Sequence, residues 1–289
     1  MMVNDNLSIG FIGAGRVGMT LGRCFYEKNL LISGYYSRTY ENAQQAADFT
    51  CSKAYTSVRE LVDETDIIFV TVPDSCIYNV YCALYEYDLK DKILCHCSGA
   101  LSASVFENIE MLGAYGYSVH PSFAVNDKKN SYKQMLGNAF FTVEGNSEKM
   151  QIITGILERL GNPYQIIDAD YKYKYHASLA MASNLAVALY RISCSLLEEC
   201  GFSSSSAEKA INPLFLNNAE NICRYGSLNA LTGPIDRNDA QTVRKHLSVL
   251  DNETADLYRL LSSELVRAAK QKYPAREYTE LDNLLGDKK

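Results

Sequence analysis

Leu7-Ser-Ile-Gly-Phe-Ile-Gly-Ala-Gly-Arg-Val-Gly-Met-Thr-Leu21 is the stretch whose reading decides the fold. Leu7 to Ile12 is a short apolar run, as expected of a buried strand. The run breaks into Gly13-Ala14-Gly15-Arg16-Val17-Gly18 and then turns helical without a linker. Each glycine has a physical use at this spacing. Gly13 permits the tight turn, Gly15 lets backbone approach a pyrophosphate, and Gly18 lets helix and strand pack closely. The uncompensated N–H groups of the helix start then favour an anion. A strand and a helix on either side of the turn point to a dinucleotide, where an isolated glycine cluster would mark only a loop.

Bulk properties bound the rest. The 289 residues exceed one typical domain of about 100–200, so two domains are expected. An apolar fraction of 47% with 21% charged residues suits a globular chain with a sizeable core. A net charge of −6 argues against nucleic acid or an anionic membrane as the main partner. No uninterrupted apolar run approaches the ~18 residues of a membrane span, and no signal sequence is read ahead of Leu7. The nine cysteines follow no framework spacing. Cys95-His96-Cys97 lacks a second ligand pair and reads as a strand, so no metal is expected. Together these features suggest reduced thiols and a cytoplasmic protein.

Beyond the first helix, Leu30 to Tyr36 reads as a second strand ending in Ser37-Arg38-Thr39. About twenty residues past Gly18 is where such a unit places its ribose-reading side chain, usually Asp or Glu when NAD is preferred. This chain has two hydroxyls and a guanidinium there, suited to a 2′-phosphate and hence to NADP, or alternatively to a solvated turn. Helices over Glu41–Phe49 and Ser57–Glu64, with Ser57 as cap, lead to the apolar run Asp66–Val72 and then to Pro73-Asp74. Strands at 92–97, 115–119, 139–143 and 164–167 continue the alternation. The fold class expected is therefore α/β, a doubly wound Rossmann-type parallel sheet followed by an all-α C-terminal domain. The domains would span residues 1–167 and 168–289. Ligands of such sheets sit at the carboxyl ends of the strands, which nominates Val72, Pro73, Ser98 and His120 for the nicotinamide half of the cofactor. His120 could equally brace the turn before Pro121.

From Asp170 no strand pattern returns. Tyr171 to Cys200 reads as one long helix with an apolar stripe at Met181, Leu185, Ala188, Ile192 and Leu196. Its polar side carries His176, Ser183 and Asn184, nearly two turns apart, with Lys172 one turn before His176. A carbonyl reduction needs a proton donor and groups that orient the substrate, and these residue types can serve; a solvated helix face is the alternative. Pro213 should kink or split a later helix. In Leu231-Thr-Gly-Pro-Ile-Asp-Arg237-Asn-Asp239, Arg237 stands before a helix start, as a carboxylate ligand or as a partner of Asp239. The polar end after Pro274 is expected to be loosely held. The broad apolar helix faces of the second half suit a homodimer.

These segments also carry a resemblance. Ile9 to Gly18 resembles pyrroline-5-carboxylate reductases and the 6-phosphogluconate-dehydrogenase-like superfamily. His120-Pro121, Tyr175-His176 with Ser183-Asn184, and Leu231-Thr-Gly-Pro…Arg237-Asn-Asp239…Thr242-Val-Arg-Lys-His-Leu247 resemble a family of NADP oxidoreductases with a Rossmann domain and a helical C-terminal domain. Some of its members are regarded as alternative ketopantoate reductases. The resemblance implies NADPH-dependent reduction of a small 2-oxo acid, with ketopantoate leading, and a role in pantothenate biosynthesis. Imine or pyrroline-5-carboxylate reduction, or a dinucleotide-binding regulator without turnover, are the alternatives. Better-known ketopantoate reductases carry Lys-x-x-x-Asn-x-x-x-Asn on the first helix of the second domain, where Lys is the acid. Here the spacing reads His176-x-x-x-Ala180-x-x-x-Asn184. Asn184 carries over, and His176 replaces the Lys with another competent acid. Ala180 has no polar group, so Ser183 or Arg237 takes over, or the substrate differs.

Overall fold

The computed structural model describes residues 7–286; the positions ahead of Leu7, where no signal sequence is read, lie outside the described residues. The chain divides into two compact units, Met1–Asn184 and Leu185–Lys289. The division falls after the helix that carries His176 rather than before it, as the sequence reading had placed it.

In the first unit the elements alternate. They are β1 (Ser8–Ile12), α1 (Arg16–Glu27), β2 (Leu31–Tyr36), α2 (Tyr40–Thr50), β3 (Lys53–Ala54), α3 (Val58–Asp63), β4 (Ile67–Val70), α4 (Asp74–Leu84) and β5 (Ile93–His96). Next come β6 (Tyr115–Ser122), α5 (Ser131–Met135), β7 (Phe140–Gly145), α6 (Met150–Leu160), β8 (Tyr164–Ile166) and α7 (Lys172–Ala182). The eight strands form one sheet in the order β3-β2-β1-β4-β5-β6-β7-β8. Order reverses at β1, which pairs with both β2 and β4, so the crevice beyond its carboxyl end is the natural ligand position. The central strands are near-continuous apolar runs because helices cover both faces. One core gathers Phe11, Phe25, Tyr35 and Phe69; the other gathers Leu61, Ile68, Val70, Tyr81 and Phe106.

The doubly wound α/β architecture is as expected, with one correction: β7 runs antiparallel to β6. A parallel return along a strand of this length needs a crossover helix of a dozen or so residues. The connection holds only the five residues of α5. The strand expected to stop at Val119 also continues to Ser122. Because β5 ends at His96, opposite Ser118, β6 has a single neighbour from Val119 onward, and Pro121 can lack an N–H there. Ser57 caps α3 as expected, accepting from the Glu60 N–H.

The long helix is two helices. α7 ends at Ala182 and α8 (Asn184–Glu199) follows. Ser183 between them turns its hydroxyl back onto the Leu179 carbonyl at 2.7 Å, the bond by which serine bends a helix. Residues 169–199 together reach the length and apolarity of a bilayer-crossing helix by composition alone, with a mean hydropathy of 1.3 over the best 18-residue window, although no uninterrupted apolar run of that length occurs there.

The second unit continues with α9 (Ser204–Tyr225), α10 (Ser227–Ala230), α11 (Gly233–Asp236), α12 (Ala240–Leu247), α13 (Asn252–Lys272) and α14 (Thr279–Leu285). Pro213 does not split α9, which continues through it. The residues on either side are exposed, so water can take the carbonyl that proline leaves unbonded. The end after Pro274 is not loose. Tyr278, Leu281 and Leu285 are buried in a core with Ile235, Val243 and Val266.

Candidate active site

Three glycines shape the turn from β1 to α1 for three different reasons. Gly13 has φ +111°, and a Cβ there would stand 2.8 Å from the Thr71 carbonyl carbon and oxygen. Gly18 has no such dihedral, but its Cβ would come within 2.5 Å of both the Gly13 oxygen and Thr71 Oγ1. Gly15 faces open space, where a Cβ would meet only the Thr71 oxygen at 3.9 Å. That opening belongs to a cavity of about 390 Å³. Ala14, Ser37, Arg38, Thr39, Val72 and Pro73 line it with the glycine loop, and Asn42 and Lys128 join them. Among the described residues that line it there is no carboxylate. No side chain caps the N-terminus of α1 and no acid lies in its first turn, so its leading N–H groups are open to an anion. The Thr39 hydroxyl, at the start of α2, is likewise not used as a cap. The cavity fits a dinucleotide: an open backbone cradle for phosphates at one end, and hydroxyls with cations at the ribose position.

Some expected contacts fall elsewhere. Arg16 and Val17 open α1 but do not line the cavity, and Val17 packs against the core. Their backbone N–H groups open the helix, and the Arg16 side chain is exposed. Ser98 is buried and its hydroxyl is consumed within the protein. It donates to Asp74 Oδ2 at 2.6 Å and accepts from the N–H groups of Ala100 and Leu101. A side chain so engaged braces the loop after β5 and has no bond left for a cofactor.

His120 stands with α7, at the carboxyl end of the sheet. Lys172, Tyr175 and His176 share one face of α7, at spacings of three and four residues. Tyr175 Oη lies 2.8 Å from both His120 Nδ1 and Ser122 Oγ. The His120 and His176 rings both approach Gly99. Lys172 is 1% exposed, unusual for a lysine, and its ammonium donates to Ser118 Oγ at 2.8 Å and the Ser98 carbonyl at 3.2 Å. Burial lowers its pKa, while Glu144, Cys97 and Asp74 push it back up. Glu144 is buried too and accepts from the Ala103 N–H, and burial raises its pKa. Burial depresses His120 to about 4, reinforced by the positive charges of Lys172 and His176. His96 is also held down to about 4, first by burial. Its Nδ1 accepts from the Ser98 N–H and its Nε2 faces the Ser102 carbonyl at 3.1 Å, so the proton sits on Nε2. The sequence reading grouped His176 with Lys172 but missed Lys172's burial and the Tyr175–His120 pair. Only the i, i+3, i+4 spacing of Lys172, Tyr175 and His176 signalled them.

His176 is exposed on the first unit, as are Ser183 and Asn184 at the junction of α7 and α8. Ser183 Oγ is spent on Leu179 and on Asn184 Oδ1, leaving the Asn184 amide nitrogen as the available donor. In the second unit Arg237 follows α11 and is exposed. Asp239 caps α12, accepting from the N–H and hydroxyl of Thr242, which chiefly accounts for its lowered pKa; the Arg237 charge is a smaller cause. Among the described residues no group of three or more His, Cys, Asp or Glu side chains is arranged to hold a metal ion.

Residues 2–121 match the model of a Rossmann-like domain, and residues 139–265 match a domain of unknown function, DUF2520. No curated protein sequence is similar enough to count as a relative. Among solved structures, a Thermotoga maritima protein is 29% identical over 91% of this chain and 99% of its own, with a TM-score of 0.74. A Bacteroides fragilis protein provisionally named an NADP oxidoreductase is 22% identical over 91% and 99% of the two chains, with a TM-score of 0.66. A reductive aminase from Aspergillus terreus, in complex with NADPH and ethyl-5-oxohexanoate, shares 14% identity over 96% and 98%, with a TM-score of 0.60. The first stretch of the chain is thus similar to a Rossmann-like domain, and the later stretch to DUF2520.

Proposed function

We propose that this protein is an NADPH-dependent oxidoreductase that reduces a small 2-oxo acid, with ketopantoate the leading candidate and pantothenate biosynthesis the setting. The observation that carries the reading is the acid-free cavity joining an open glycine cradle to Ser37, Arg38 and Thr39. The N–H groups of α1 would hold the pyrophosphate, and Arg38 with its flanking hydroxyls the 2′-phosphate. The bound dinucleotide supplies a hydride. His176, exposed on α7, supplies the proton to the developing alkoxide, and the Asn184 amide orients the substrate. Arg237 is kept from the sequence as a carboxylate ligand, to be tested by Arg237→Ala. Nine cysteines, all free, accord with a reducing cytoplasmic setting. The exposed apolar side chains Met181, Leu185, Val187, Leu214, Phe215 and Leu216 support a homodimer.

Titration with NADPH and NADH, followed by cofactor fluorescence, tests the cofactor. Loss of a charge-assisted bond worth about 1.5–3 kcal/mol should weaken NADPH about 10- to 100-fold in Arg38→Ala and leave NADH nearly unchanged. Steady NADPH oxidation with ketopantoate, abolished in His176→Ala with cofactor affinity intact, establishes the enzyme. The likeness to a reductive aminase favours one second reading, reduction of a C=N bond. Turnover of imines but not of 2-oxo acids would select it, and binding without any turnover would leave a dinucleotide-binding regulator.

A further inference from the structure

Gly99 follows β5 in the loop that faces α7. Its φ is not in the left-handed region, so glycine is not required there for conformation. What the missing side chain leaves is room. A Cβ at this position would stand 2.8 Å from His176 Cδ2, 2.9 Å from His120 Nε2 and 3.0 Å from His120 Cε1. The two imidazoles therefore converge on bare backbone, with His120 presenting its Nε2 edge.

The other edge of His120 is fixed. Nδ1 meets the Tyr175 hydroxyl, which meets the Ser122 hydroxyl, each at 2.8 Å. A phenol is the more acidic donor and the weaker acceptor of this pair, and a neutral imidazole nitrogen is a good acceptor. Ser122 then donates to Tyr175, Tyr175 donates to Nδ1, and the ring's one hydrogen lies on Nε2. We propose that His120 is the neutral hydrogen-bond donor of the reaction site, its Nε2–H directed past Gly99 at the substrate's carbonyl oxygen, beside the proton donor His176. The inference rests on the reductase reading and adds to it the residue that polarises the carbonyl.

The surroundings keep the ring neutral. It is largely buried, and the Lys172 ammonium, His176 and His96 all oppose a second positive charge; of the facing groups only Asp74 favours one. A fixed neutral donor suits the chemistry. A bound reduced dinucleotide would supply the hydride to the carbonyl carbon; the π pair would then pass to oxygen, where His176 would deliver the proton. His120 keeps its own proton throughout and stabilises the oxygen as charge develops. Two histidines on one substrate atom thus divide the work between acid and polariser.

Ring ¹⁵N NMR on the unliganded protein, paired with steady-state kinetics, tests this. His120 should appear as the Nε2–H tautomer from pH 8 to pH 5, and Tyr175→Phe should let the Nδ1–H form appear. His120→Ala should lower kcat about 100- to 1000-fold with little change in KM. His120→Gln, whose amide nitrogen can stand near Nε2, should recover part of it. An Nδ1–H tautomer or an imidazolium at pH 7, or an unchanged kcat in His120→Ala while His176→Ala is inactive, overturns the inference and leaves the reductase reading standing. A wild-type protein that binds NADPH and reduces neither carbonyl nor imine overturns the reading, and this role with it, whatever the tautomer.

Discussion

Acid should loosen the first unit as pH falls from 6.5 toward 4, and His96 is the side chain through which this can be measured. It is fully buried, its Nδ1 already receives the Ser98 N–H, and a second proton would place two donors face to face. Its folded pKa is about 4 against an ordinary 6.5. A group depressed in this way is bound by more protons in the unfolded chain between those two values. Stability is therefore intact above pH 6.5 and is lost as pH falls toward 4. Linkage over that window gives about 2 kcal/mol lost between pH 7 and pH 5, and about 3 kcal/mol once both states are protonated. His120 adds a loss of the same sign over the same window. Glu144 acts oppositely, because its raised folded pKa makes proton uptake easier in the native state. The perturbation is His96→Asn, whose amide oxygen can still accept from the Ser98 N–H and which does not titrate. Urea unfolding followed by circular dichroism, with amide exchange in β5 as the local probe, should show the variant losing about 2 kcal/mol less than the parent between pH 7 and pH 5. Parallel stability curves for the two proteins would refute the assignment of a neutral, buried His96.

Lys172→Met should lie within about 1 kcal/mol of the parent in urea, because the apolar chain fills the same space and removes a costly buried ion, whereas Lys172→Ala should lose about 3 kcal/mol. Removing the Lys172 charge also takes away a cation that opposes protonation of His120, so the His120 pKa should rise in the Met variant, read by ring NMR. Light scattering on the eluting protein should give twice the 32.3 kDa chain mass if the exposed apolar helices pair with a second copy, and Leu185→Glu with Leu214→Glu should return the monomer. A monomeric parent would remove the homodimer.

The glycine turn was legible because its constraints are local: a positive φ at Gly13 and a close approach at Gly18 exclude side chains whatever the rest of the chain does. The position of the Ser37-Arg38-Thr39 turn was legible for a similar reason, since it follows directly from the end of β2. Elements whose state depends on distant partners were not. β3 holds two residues and exists only as a neighbour of β2. The direction of β7 depends on how little helix the preceding connection contains. Ser183 looked like a polar residue on a continuous helix, yet it sits at the junction of two helices with its hydroxyl turned back onto Leu179. Lys172 reads as a surface lysine until Ser118 and Ser98, more than fifty residues away in sequence, close over it. Tyr175 and His120 were both noted from sequence, but the bond between them is a tertiary contact that no spacing encodes.

Thr71 was described as the neighbour against which Gly13 and Gly18 are measured, and its hydroxyl also donates to the Gly13 carbonyl at 2.7 Å. One side chain thus both holds the turn in place and forms part of the wall that forbids larger residues within it. Mutations here cannot be independent. Removing the Thr71 hydroxyl takes away one of the two atoms an alanine at position 18 would strike, and unties the Gly13 oxygen, which is the other. The cost of Gly18→Ala should therefore be smaller in a Thr71→Ala background than in the parent, a coupling between the loop after β4 and helix α1. A lineage could relax its glycine signature by first giving up a threonine fifty-three residues downstream of it, outside the stretch by which such turns are recognised.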